Sequence, residues 1–268
     1  MGDKTKLSIS PIFFNLMASL TTTAMGQTWY FVRENGKIAS RKCDEDKGII
    51  IMNMELDDFA FSFEENEITF HNFKEFLGAL KIQDFPKSQP ALTRQVYRGT
   101  DSVLIKNGKS NIYHRLSGKD RYASRYGFDQ YADISAMVAD DDLPKMLCFD
   151  LSKDTIQAIY EKASKFKSEI LSFSKNSDGV VINFTSESDK ICEYTYDLAP
   201  DEVINFDTAN ITSETKFPYS FFHILRAANV DARIYAFGTE GRGILAFTGE
   251  FLHENVNVKF SASCPSRI

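Results

Sequence analysis

Cysteine is scarce and scattered: Cys43, Cys148, Cys192 and Cys264 are the four in a chain of 268 residues. No two form a C-x-x-C pair, so neither a zinc knuckle nor a redox dithiol is suggested. Isolated thiols in a chain of this size read as reduced, in a cytosolic setting. The histidines His71, His114, His223 and His253 pair with no Cys or carboxylate at a catalytic or metal-binding spacing. There is no G-x-S-x-G, H-E-x-x-H or complete phosphate-binding-loop sequence. An enzyme is therefore not expected, and neither a cofactor nor a metal is implied. Long apolar runs are also lacking, which argues against a membrane-spanning helix. Pro11, Asn15 and Ser19 break the apolar stretch near the start, so a secretion signal is not expected either. Nor is there an excess of positive charge: the net of −6 argues against a chain that is basic all over, while saying nothing of where its charges lie.

What the chain does have is phenylalanine, 23 of them, within the ordinary apolar fraction of a globular protein and a length sufficient for two cores. Leu7 to Thr22 carries Ile9, Ile12, Phe13, Leu16 and Leu20 at helical spacing, with Ser8 or Ser10 as cap and Pro11 near the first turn. Strands follow at Thr28 to Val32, Ile49 to Met52 and around Phe59, Phe61 and Phe63, whose alternation puts three rings on one face. A second helix contains Phe73, Phe76, Leu77 and Leu80 behind Asn72. Strands are expected again at Leu92 to Tyr97, Ser102 to Lys106 and Asn111 to Leu116, the last two joined through Asn107-Gly108. Gly108-Lys109-Ser110 lacks the upstream glycine of a phosphate loop and reads as that turn. Ser117 to Pro144 dissolves into charges and tyrosines and is the best linker.

Beyond it the order recurs. Leu151 to Ile170 reads as a one-sided helix with Ile156, Ile159, Tyr160, Ala163, Phe166 and Ile170 on its apolar face and Ser152 as cap. Strands are expected at Ile170 to Phe173, Val180 to Thr185, Ile191 to Tyr196 and Val203 to Ile211. A short helix at Pro218 to Ala228 precedes strands at Ala232 to Phe237, Ile244 to Thr248 and Val256 to Ser261. Placing Leu7-Ser8 over Leu151-Ser152 sets Ile12 on Ile156 and Leu16 on Tyr160. Placing Phe73 over Phe221 matches both second helices as F-x-x-[F/I]-L-x-A. Order and spacing together imply a duplicated unit in which two helices cover antiparallel strands, an α+β architecture. The expected division is 1–116, a connector at 117–150, and 151–268.

These features, clearest from Leu151 to Ser261, resemble the sliding clamps, the processivity factors of replicative DNA polymerases, and most closely the two-domain clamps of T-even-type bacteriophages. The resemblance implies the DNA-clamp fold, two similar domains each with two helices packed on antiparallel sheets. It further implies three subunits closed head to tail into a ring around duplex DNA, bound without sequence preference. The implied partners are the replicative DNA polymerase and an ATP-dependent clamp loader, in the cytoplasm of an infected bacterial cell, with no membrane.

Charge patterning agrees with a ring that attracts phosphates without reading bases. Three of the four helical stretches carry a net charge of +1 each and the first is neutral, so an acidic remainder of −9 surrounds mildly basic helices. The DNA-facing candidates are Lys4, Lys6, Lys74, Lys81, Lys153, Lys162, Lys165, Lys167 and Arg226. The first helix has no basic residue, and Lys4 and Lys6 before it are expected to compensate. Arg226 aligns with Gly78, so that outward position is basic in one half alone. Clamps take partner peptides beneath the connector, where Ile134, Met137 and Val138 are the apolar candidates; packing of the connector onto a sheet is the competing explanation. Two other functions remain open to the sequence: a clamp-fold processivity factor working as monomer or dimer, and a phage structural or adaptor protein that binds no DNA.

Overall fold

The computed structural model describes residues 4–22, 29–34, 37–41, 51–56, 61–64, 67–70, 72–117, 134–140, 142–186, 193–206, 215–239, 242–253 and 256–266. The chain forms two compact units. Unit 1 is Met1–Lys42, Asn53–Phe128 and Phe251–Lys259; unit 2 is Cys43–Met52, Asp129–Glu250 and Phe260–Ile268. The first elements are β1 (Thr5–Ile9), α1 (Pro11–Thr22), β2 (Trp29–Glu34), β3 (Lys37–Arg41), β4 (Ile51–Leu56), β5 (Phe61–Phe63), β6 (Glu67–Phe70), α2 (Phe73–Ile82), β7 (Ala91–Tyr97), β8 (Thr100–Asn107) and β9 (Ser110–Arg115). After α3 (Ile134–Ala139) come β10 (Lys145–Leu151), α4 (Lys153–Lys165), β11 (Ile170–Lys175), β12 (Val180–Thr185), β13 (Glu193–Asp197), β14 (Val203–Phe206) and β15 (Lys216–Pro218). The last are α5 (Ser220–Ala228), β16 (Ala232–Thr239), β17 (Arg242–His253) and β18 (Val256–Pro265).

On either side of α3 the order is the same: strand, helix, five strands, helix, three strands. The pairings repeat as well. β1 lies between β5 and β7 as β10 lies between β14 and β16. β2 joins β6 to β3 as β11 joins β15 to β12, and β3 meets β4 as β12 meets β13. β8 follows β7 as β17 follows β16. All these pairs are antiparallel. The sheets run β5-β1-β7-β8-β9, β13-β12-β11-β15, and β14-β10-β16-β17-β18-β4-β3-β2-β6. The architecture is α+β, and the duplication expected from the sequence is present strand for strand.

The start of the first helix and the end of the helix expected over Leu151 to Ile170 differ from the sequence reading. Leu7–Ile9 is not the start of the first helix but β1, in which Leu7 and Ile9 are buried while Lys6 and Ser8 are exposed. Alternation of period two, with Pro11 at the first helical position, decides the point: the helix starts behind Ser10, whose Oγ accepts from the Phe13 N–H at 3.1 Å. Ser10 is therefore the counterpart of Ser152, whose Oγ accepts from the Thr155 N–H at 3.1 Å. With the caps aligned, buried Phe14 falls on Ile156 and buried Met17 on Ile159. At the other end, α4 stops at Lys165 and Ile170 opens β11, so Phe166 and Ile170 do not extend its apolar face. Lys167 takes a left-handed φ of 51°, and the Ser168 N–H and hydroxyl both reach the Ala163 carbonyl, closing the helix. The second-helix alignment holds in packing: Phe73, Phe76, Leu77, Ala79 and Leu80 are buried, as are Phe221, Ile224, Leu225, Ala227 and Ala228.

The phenylalanines explain how unit 1 closes. Phe13 of α1 stacks on Phe61 of β5 at 4.8 Å, and Phe31 of β2 meets Phe61 at 5.0 Å. Phe70 of β6 stands edge-on to Phe73 of α2 at 4.9 Å. One ring cluster thus ties both helices to both sheets of the unit, each buried ring contributing about 2–3 kcal/mol of transfer free energy. Among the described residues, unit 2 uses ring pairs such as Phe184 with Phe222 at 5.2 Å and Phe221 with Phe247 at 5.4 Å alongside aliphatic packing by Ile156, Ile159 and Leu225. Residues 145–150, which the sequence places in the connector, form most of β10, whose alternation buries Leu147, Phe149 and Leu151. Much of the remaining connector, and Phe59 with residues 49–50, lies outside the described residues. Among the described residues no helix is long and apolar enough to cross a membrane.

Candidate nucleic-acid interface

In each unit one pair of helices packs together, α1 with α2 and α4 with α5. In α4 the buried stripe is Ile156, Ile159 and Ala163. At 100° per residue, Lys165 points roughly 150° from that stripe and Lys162 roughly 90°. Both are exposed, as are Lys153 and Lys167. Lys162 and Lys165 occupy the last turn, where cations complement the free carbonyls. Asp154 occupies the first turn, and the Asp231 carboxylate accepts from the Lys153 N–H at 2.8 Å.

Arg226 of α5 is exposed and crosses to α4. Its guanidinium lies 4.9 Å from the Tyr160 ring centre, and its Nε donates to Gln157 Oε1 at 3.1 Å. Gln157 Nε2 donates in turn to Glu161 at 2.6 Å. Tyr160 is itself backed by Tyr219, parallel at 6.3 Å, and by His223, edge-on at 5.2 Å. The Tyr219 hydroxyl donates to the Tyr160 carbonyl, and burial pushes its pKa well above the usual phenol value, so it stays protonated. Sequence reasoning singled out Arg226 and missed Gln157 as its partner; nothing in the sequence ties residues so far apart.

The helix pair of unit 1 differs. Lys74 is exposed in the first turn of α2, and Lys81 is exposed in the last, 5.9 Å over the Phe14 ring. Gly78, Asn15 and Ala18 occupy the places that Arg226, Gln157 and Tyr160 hold in unit 2. Lys4 is exposed ahead of β1. Lys6 does not join this helix face: its strand neighbours Leu7 and Ile9 oppose Phe63 and Phe61, and Phe61 stacks on α1, so Lys6 lies on the sheet's other face. A strand in place of the expected helical turn sends it there.

Ile134 and Met137 are buried, and they pack with Phe237 and Ala246. Val138, Leu143, Tyr235 and Ile244 border this cluster. The three connector candidates therefore serve to seat α3 on the helix-free face of β16 and β17. The equivalent positions of unit 1, read through the pairings Leu92 with Ile105 and Ile234 with Phe247, are Thr93, Gln95, Ser102 and Leu104.

Two sheet ends carry exposed rings that the sequence did not flag. On that same helix-free side of unit 1, Tyr97 and Tyr113 stack at 3.7 Å with Arg98 5.2 Å from the Tyr97 ring. Tyr113 belongs to β9, the last strand of its sheet. In unit 2, Phe166 stacks on Tyr194 of β13, again an end strand. β9 ends on Arg115, whereas β13 carries Glu193 and Asp197, so the two ends are opposite in charge.

No family model matches the sequence, and no curated protein matches it. Solved structures do match over the whole chain. Proliferating cellular nuclear antigen from Entamoeba histolytica is similar with a TM-score of 0.60 at 14% identity, each chain covered in full. The archaeal counterpart from Thermococcus kodakaraensis gives 0.55 at 14%, over 99% of this chain and 100% of that one. The antigen of A. fulgidus, solved with the C-terminal region of FEN-1 bound, gives 0.58 at 13%, over 99% of both chains. At such identities the likeness establishes the fold: this chain has the clamp fold of those proteins.

Proposed function

We propose that this protein is a non-enzymatic sliding clamp, a head-to-tail trimer that encircles duplex DNA and tethers a replicative polymerase to it. The observation that carries the reading is the position of β9 and β13. Within the repeat they correspond to β18 and β4, which are neighbours in the nine-stranded sheet. The duplicated pair that is joined in the chain is thus left open at two sheet ends, with opposite charge and exposed rings on each. Joining β9 of one subunit to β13 of the next repeats a pairing the fold already makes, hides two aggregation-prone edges, and is heterologous, the head-to-tail kind of joint from which a ring is built when its rotation closes.

The helices supply the wall that such a ring needs. Exposed Lys74, Lys81, Lys153, Lys162, Lys165 and Arg226 neutralise phosphates by releasing counterions, without contacting base edges, and the acidic remainder is repelled by the duplex. Retention then depends on topology: leaving DNA requires a joint to open, so weak ionic contacts suffice. A separate ATP-driven loader opens it. The domains are 1–116 and 151–268 with the connector at 117–150, its last residues 145–150 running on as β10 of the second repeat, and partner peptides dock beside Ile134, Met137 and Val138. In the phage-type version the ring works in the cytoplasm of an infected bacterium.

Sedimentation equilibrium tests the assembly. A closed trimer of 30.4 kDa subunits has a mass of about 91 kDa. Tyr113→Glu, which places a third carboxylate against the Glu193 and Asp197 edge, is expected to return it to the subunit mass. A monomer at all concentrations, with or without DNA, contradicts the ring.

A further inference from the structure

We infer that Gln157 and Tyr160 are positioning residues that hold Arg226 as a preset phosphate contact, and that this device exists in unit 2 alone. The inference rests on the clamp reading.

An exposed arginine ordinarily samples many rotamers, and ordering it on binding costs conformational entropy. Here the side chain is fixed before any ligand arrives. Its Nε is taken by Gln157 Oε1, and its plane lies over the Tyr160 ring. The direction of the Gln157 amide is set as well: with Nε2 donating to Glu161, the oxygen must turn to the arginine. Tyr160 cannot tilt freely, because Tyr219 and His223 border its ring. Among the described residues none takes Nη1 or Nη2 of Arg226, which leaves the outer fork of the guanidinium for two oxygens of one phosphate.

Unit 1 carries no copy of this arrangement. Gly78 stands where Arg226 does, with open space around the site of a Cβ, and Asn15 and Ala18 stand where Gln157 and Tyr160 do. The ring therefore grips the backbone once per subunit at α4 and α5 and presents a smoother face at α1 and α2. A ring that must slide benefits from few preset contacts between weakly held stretches.

The test is a double-mutant cycle read by the salt dependence of binding to a short blunt duplex, whose ends let a ring thread on. Arg226→Ala removes one contact from each of the three subunits and is expected to reduce the slope of log affinity against log salt by about 3. Tyr160→Leu gives the same loss, Tyr160→Phe retains the parent slope, and Tyr160→Leu added to Arg226→Ala changes nothing further. A role confined to packing α4 on α5 predicts otherwise: Tyr160→Leu then lowers affinity equally with and without Arg226, alongside a lower melting temperature, and that result overturns the inference. Parent binding with an unaltered slope in Arg226→Ala overturns it too, leaving the clamp reading intact. Absence of salt-dependent binding by the parent overturns both.

Discussion

Units 1 and 2 share their strand pairings and helix positions but few residues. Leu7 corresponds to Phe149, Ile9 to Leu151, Phe14 to Ile156, Met17 to Ile159 and Leu92 to Ile234, and every one of these is buried. The second helix is the exception, where Phe73, Leu77 and Ala79 recur as Phe221, Leu225 and Ala227. What the two copies keep is the pattern of burial; volume and chemistry drift within it, as cores of conserved patterning permit. Where the copies part company is on the surface. Unit 2 carries the fixed Arg226 and an apolar sheet face under α3, and unit 1 carries Gly78 and a polar face of Thr93, Gln95 and Ser102. The comparison teaches that duplication preserved the scaffold and let the surfaces diverge.

The largest effect expected from breaking this comparison lies in the shared core. Phe73→Ala and Phe221→Ala each remove a ring with no exposed surface, and each is expected to cost about 3–5 kcal/mol in denaturant unfolding. Similar costs sustain the equivalence of the two positions, and a cost below about 1 kcal/mol at either one ends it. A smaller effect sharpens the surface difference. Gly78→Arg adds a side chain into open space at a half-buried helix position, so it is expected to stabilise unit 1 by roughly 0.5–1 kcal/mol through helix propensity. Made together with Ala18→Tyr and Asn15→Gln, it is expected to steepen the salt dependence of duplex binding, and an unchanged slope would show that unit 1 does not line the duplex.

Much of this was legible in the sequence because it is local. The Phe61 and Phe63 alternation, the Asn107-Gly108 turn with Gly108 at φ 57°, and the F-x-x-[F/I]-L-x-A echo are each set by neighbours within a few residues. Leu7–Ile9 satisfies either period because it is three residues long; the proline after them, which permits a helix to begin but not to continue through it, is the signal that separates strand from helix. The exposure of the lysines followed from helical spacing. Their neighbours did not, since Tyr160 and Arg226 meet only when α4 and α5 pack, and a tyrosine on a helix flank has the same spacing whether it faces a core or a guanidinium. Ile134, Met137 and Val138 were visible as apolar residues in a polar stretch, but what covers them depends on the helix-free face of a sheet formed a hundred residues later.

The central claim is that DNA is retained by encirclement, and the most direct measurement is the lifetime of the protein on DNA after loading at a nick. On a closed circle it is expected to persist through a high-salt wash and to leave within the dead time once a single cut linearises the circle. Equal lifetimes on circular and linear DNA would contradict the account.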